Sequence, residues 1–250
     1  HRDPRDDIRQ PMNAATADPQ SVLNALTIMA AEQQTMNFYM TIGNRPMEKR
    51  ARATYLEIGQ IEEQHVTQYE SILDPSITWL ENLVWHEYNE CWLYYSFMQH
   101  EPDPKVKALY ELHLNMEIEH LRLAAEMMRA VEGRDPAAFL PKSIERTMLF
   151  KENKEYVRQV LKNQIDLTAE GTKFVPITTL PAGHRYHQYQ RVVNAGGVPT
   201  EMVIAEARAK LPDDYRYESL GPNPVPGLRP EKERRGAMTA YAERQPMAAE

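Results

Sequence analysis

The sequence predicts an all-α fold: a four-helix bundle with one additional helix and an extended Pro/Gly-rich C-terminal segment. Three observations predict it. Apolar residues recur at helical spacing over four stretches of roughly 25 residues each between positions 18 and 133. Short breaks carrying Pro or Gly separate those stretches. From 174 onward the pattern gives way to "KFVPITTLPAGHRYHQY", "NAGGVPT" and "GPNPVPGLRP".

Residues 1–17 read as a flexible arm. The first helix opens at Asp18-Pro19, a capping residue followed by proline at the first helical position. Its apolar stripe is Val22, Ala25, Leu26, Met29, Met36, Tyr39 and Met40, and Gly43-Asn44 stops it. Pro46 is expected to start the second helix, with Ile58, Ile61, Val66, Tyr69, Ile72 and Leu73 on its buried side. Asp74-Pro75 breaks the chain. The third helix carries Ile77, Leu80, Leu83, Val84, Cys91, Tyr94 and Met98, and "EPDP" at 101–104 ends it. The fourth runs to about Val131 with Leu109, Leu112, Met116, Leu121, Leu123, Ala124 and Met127 as its buried stripe; Gly133 fits its C-terminal cap. Residues 18–133 therefore form the helical domain and 134–250 a C-terminal extension. In that extension a helix is expected over about 144–170, around Ile144, Met148, Tyr156, Val160 and Leu161. The remainder is expected to be mostly irregular, with a short helix near 200–210.

Composition narrows the function. The 250 residues are 42% apolar, enough for a substantial core, and carry a net charge of −7, which disfavours nucleic acid as a partner. Cys91 is the sole cysteine, so neither an internal disulfide nor a four-cysteine metal site is possible. No apolar run approaches the ~20 residues that cross a bilayer. The N-terminal stretch is charged and lacks the apolar centre of a secretion signal, so a reducing cytoplasm is the expected location.

Four acidic positions organise the helices. "IEEQHVTQYE" places Glu62 and His65 three residues apart, on one face of the second helix. "NMEIEHLRL" repeats that spacing with Glu117 and His120 in the fourth. The first and third helices each offer a carboxylate: Glu32, and Glu87 with Glu90 one turn on. Glu32 and Glu62 are 30 residues apart, as are Glu87 and Glu117, and the second pair lies 55 residues beyond the first. The chain thus reads as two copies of one helical hairpin, each carrying a Glu and then a Glu-x-x-His. At about 1.5 Å rise per residue the carboxylates of a hairpin lie at similar heights. Several carboxylates buried together without cations would be very costly, and two divalent ions remove that cost. Carboxylate and imidazole donors without thiolate suit iron or manganese.

Residues 18–132 resemble the ferritin-like di-iron and di-manganese carboxylate superfamily, whose ligand pattern this is. The nearest match is to the rubrerythrin branch, in which the third helix carries a Glu-x-x-Glu, as Glu87 and Glu90 do here. The resemblance implies Glu32, Glu62, His65, Glu87, Glu117 and His120 as metal ligands, with Glu90 as an extra or exchangeable one. It implies Glu62 and Glu117 as bridging and Glu32 and Glu87 as mainly terminal ligands, and two divalent ions, iron favoured and manganese possible. The implied activity is an oxidoreductase acting on hydrogen peroxide or dioxygen, peroxide reduction first. No pair of Cys-x-x-Cys motifs is present, so an electron donor would be a separate protein. Manganese catalase-like disproportionation, ferroxidase activity with iron storage, oxygenation of an organic substrate and a non-catalytic helical scaffold are the alternatives.

The link between the second and third helices, about "LDPS", is too short to run back along a helix of about 35 Å. Either the chain turns back into an up-down-up-down bundle, or the third helix continues onward to a second copy. The latter gives a domain-swapped homodimer with sites shared between chains.

Other polar and aromatic residues are expected to be structural. Glu63, Glu119 and His86 read as solvated, His113 as half-buried beside Glu117, and Cys91 as a small core residue. Trp85, Trp92, Tyr94 and Tyr95 read as core or interface aromatics. Tyr39 and Tyr69 are the tyrosines expected nearest the metals, though packing explains them. His184 and His187 read as surface residues.

Overall fold

The computed structural model describes residues 1–6, 9–148, 153–164 and 166–210. Seven α-helices and one two-stranded sheet form among them, so the fold is mainly helical. Four long helices lead: α1 (Pro19–Ile42), α2 (Lys49–Ile72), α3 (Trp79–His100) and α4 (Pro104–Glu132). Asp18 caps α1 and Asp103 caps α4, each accepting two backbone N–H bonds ahead of a proline. The second helix starts three residues later than Pro46, because the Glu48 carboxylate accepts from Arg50 N at 2.9 Å and Ala51 N at 2.6 Å. Ile77 falls outside α3, whose cap is Thr78, accepting from Glu81 N at 3.1 Å. Gly133 ends α4 with φ +66°, a left-handed conformation that favours glycine.

The helices pair as two hairpins, α1 along α2 and α3 along α4. Gly59 of α2 faces Met40 of α1, whose Sδ would lie 2.9 Å from a Cβ at that position. The hairpins meet through α1 and α3, where Leu23, Ala25 and Leu26 pack with Leu73, Trp85, Tyr88 and Trp92. A second cluster, Val84, Ala124 and Met128, joins α3 to α4. A strap following α4 lies along α3: Tyr88 Oη donates to Ser143 O, Trp92 Nε1 to Arg146 O and Met148 N to Ser96 Oγ.

The stripe expected to be buried on α4 is largely open. Ala124 is buried with Ala125 and Met128, whereas Leu109, Leu112, Met116, Leu123 and Met127 are exposed. The reason is geometric: α4 packs along α3, and the hairpin of α1 and α2 meets the rest chiefly where α1 touches α3. Met40 of α1 is exposed as well.

The arm is tied down rather than free where it is described. Arg2 N donates to Gln64 Oε1, Met12 N to Ile72 O and Ala14 N to Asp74 Oδ2, and Asp6 is buried against Arg185. The helix expected over about 144–170 is shorter, α5 (Lys154–Gln164); residues 144–148 are not helical, and 149–152 and 165 lie outside the described residues. The end of that stretch is instead strand β1 (Leu167–Glu170), antiparallel to β2 (Lys173–Pro176) across Gly171, φ +59°. A further helix, α6 (Arg185–Val193), was not expected. The short helix near 200–210 is α7 (Pro199–Lys210), in a separate compact unit that begins at Gly196. The readings made for 211–250 lie outside the described residues.

Candidate metal centre

The six residues that the paired motifs single out come together in two sets of three. Glu32 from α1 meets Glu62 and His65 from α2; Glu87 from α3 meets Glu117 and His120 from α4. Helical spacing explains each pair on one helix, since positions three apart lie one turn along the same face. Hairpin pairing brings the third carboxylate across.

His65 Nδ1 lies 3.2 Å from Glu32 Oε2 and 3.1 Å from Glu62 Oε2. His120 Nδ1 lies 2.8 Å from Glu117 Oε2 and 3.9 Å from Glu87 Oε2. In each set one donor atom per residue lies within 4.8 Å of the other two. Donors on one ion, at bonds of about 2.1 Å, stand about 3–4.2 Å apart. Both triads are close to that spacing already. The carboxylates are the enclosed members, with side chains 15–24% exposed, whereas His65 and His120 are 38% and 48% exposed. Each triad therefore opens on one side, past its imidazole.

The electrostatics fit a cation. Burial, together with the adjacent Glu32 carboxyl, raises the Glu62 carboxyl above its ordinary range against the pull of His65. A cation placed between the two carboxyls would relieve that repulsion. His120 is raised by its bond to Glu117, with Glu87 adding to the effect.

Glu90 stands outside the second triad, one turn along α3 from Glu87, and makes no hydrogen bond or ion pair among the described residues. Burial raises its carboxyl, His86 draws it partly back, and nearby Glu117 and Glu87 raise it again. The aromatic group beside this triad is Tyr94, whose ring lies 5.1 Å from that of His113 and 6.5 Å from that of Tyr110. Its phenol is raised by burial and then by Glu90 and Glu117. Tyr39, singled out from sequence, instead packs 5.8 Å from Tyr55. The signal for Tyr94 was present: it lies one turn after Glu90, as His113 lies one turn before Glu117.

The residues expected to be structural divide. His86 and Glu119 are exposed, the latter paired with Arg122, and Cys91, Trp85 and Trp92 are buried. His184 is not a simple surface residue: its Nε2 lies 2.9 Å from Glu170 Oε2, and its Nδ1 accepts from Tyr186 N to cap α6.

No family profile, curated protein or solved structure matches this chain. No helix among the described residues is long and apolar enough to cross a membrane.

Proposed function

We propose that this protein is a di-metal carboxylate oxidoreductase acting on hydrogen peroxide or dioxygen, built on a ferritin-like pairing of helical hairpins. The observation that carries the reading is the doubling: two Glu/Glu/His triads on equivalent hairpins, each with its donors already near coordination spacing. Together they supply the four carboxylates and two imidazoles that a two-ion centre takes. When bound, two reduced iron ions supply the two electrons that peroxide reduction needs; manganese accepts the same donors.

The chain's own residues do the rest. His65 and His120 would each hold one ion, with Glu32 and Glu87 as terminal and Glu62 and Glu117 as shared carboxylate ligands. Burial and the neighbouring Glu117 and Glu87 raise the Glu90 carboxyl above its ordinary range, which suits it to pass a proton at the centre. Reducing equivalents come from a separate donor protein, since the single cysteine, Cys91, excludes a cysteine-bound iron domain within these residues.

Elemental analysis of the wild type beside Glu62→Ala/Glu117→Ala tests the reading. The expected result is about two iron or manganese ions per chain, lost in the variant. A wild type that takes up neither metal after anaerobic reconstitution overturns it in favour of a helical scaffold. Peroxide loss that requires an added reductant separates reduction from disproportionation, which releases dioxygen with no reductant.

A further inference from the structure

The two triads are separate, one on each hairpin. On a helix of 3.6 residues per turn, Trp85, Tyr88 and Trp92 fall on one side of α3 and Glu87, Glu90 and Tyr94 on the opposite side. The first side is taken. Leu23 and Leu26 of α1 pack there, Thr27 Oγ1 donates to Asn89 Oδ1 at 3.0 Å, and the strap at 136–148 closes over it. The chain's own α1/α2 hairpin is thus anchored behind α3, away from the Glu87 face.

The Glu87 face is left open, and it is apolar. Leu109, Leu112, Met116, Leu123 and Met127 follow one line along α4 and are 47–55% exposed. His120 lies in that line, four residues after Met116 and three before Leu123. The stripe runs about 27 Å. An apolar seam of this length through a ligand set is a packing surface, not a solvated one.

We infer that the α3/α4 hairpin receives the α1/α2 hairpin of a second copy, so that a dimer builds two centres. Each centre takes Glu32, Glu62 and His65 from one protomer and Glu87, Glu117 and His120 from the other. This rests on the di-metal reading of the triads. Two arguments choose this occupant. The hairpins share one design, with Glu and Glu-x-x-His at the same 30-residue spacing, so each presents the half that the other lacks. Closure decides the pairing: if each hairpin bound its own kind, a copy would carry two separate self-complementary faces and copies would link without end. Unlike hairpins close at two copies.

The test uses the full chain in two differently tagged forms, Glu62→Ala/His65→Ala and Glu117→Ala/His120→Ala, alone and co-expressed. Each is loaded anaerobically with ferrous iron and partly oxidised, and the resonance signal of a coupled ion pair is read. Either form alone is expected to give none. The doubly tagged dimer holds one complete centre and is expected to give about half the wild-type signal. A doubly tagged species without the signal, while the wild type has it, overturns the exchange. Sedimentation judges the dimer independently of metal. Wild type is expected as a dimer, and Leu112→Glu/Met116→Glu as a monomer with unchanged helical circular dichroism. A monomeric or open-ended wild type overturns the inference, whereas a dimer that binds no iron overturns only the di-metal reading.

Discussion

Cys91 lies next to Glu90 on α3, and its thiol is pushed up to about 12, first by burial and then by Glu117 and Glu87. At pH 8 almost no thiolate is present. Alkylation of the native protein is therefore expected to be about a thousandfold slower than after denaturation; equal rates in the two states would show the site to be open. Asp74 is shifted the other way. Its carboxylate accepts from Ala14 N, Ser76 N and Ser76 Oγ, which hold it below its ordinary 3.8. The folded state thus prefers the charged form. That stabilisation is present above the ordinary value and is lost as pH falls through the lowered one. Asp74→Ala is expected to melt below wild type at pH 7, with the gap closing in acid. A gap that persists unchanged at low pH would assign the loss to something other than this carboxylate.

The same dipeptide behaves in two ways along the chain, which shows what an element takes from its surroundings. Asp18-Pro19 and Asp103-Pro104 open α1 and α4, as their residue types predict. Asp74-Pro75 opens nothing, because one Asp74 oxygen is drawn to Ala14 of the arm and the other to Ser76. Asp103→Ala is expected to cost about 1 kcal/mol in denaturant unfolding. Trp92→Ala is expected to cost about 3–5 kcal/mol, since the ring is 1% exposed and its Nε1 holds the strap at Arg146 O. A loss under 1 kcal/mol would mean that the strap is not held by this ring. The four long helices were legible from sequence because an apolar period and a cap are local signals. The sheet was not: Leu167 continued the apolar spacing of the preceding segment, and Gly171, which turns the hairpin at φ +59°, is a single residue against that period.

At the scale of the whole unit 1–195, the N-terminal arm is clasped to the segment between Leu167 and Gln190. Arg2 donates to Leu167 O, Gln190 Nε2 to His1 O, and Arg185 pairs with Asp6, which is 6% exposed. Arg185→Ala leaves that buried carboxylate without its hydrogen-bonded partner and is expected to cost about 1–3 kcal/mol, read by denaturant unfolding at pH 7. No loss would mean that the arm does not contribute to the fold.

The amino-acid order by itself determined the helical class, the caps at Asp18 and Gly133, and the six residues whose types and spacing suit donor chemistry. Spacings of three along a helix and of 30 between paired positions are properties of the chain alone. Only the tertiary structure decided that the donors gather as two triads rather than one set of six. Seating α1 against Trp85, Tyr88 and Trp92 turns the Glu87 face of α3 outward, and leaves Leu109, Leu112, Met116, Leu123 and Met127 of α4 bare. Periodicity states that a helix has an apolar face. Which neighbour covers that face depends on contacts between residues far apart in the chain.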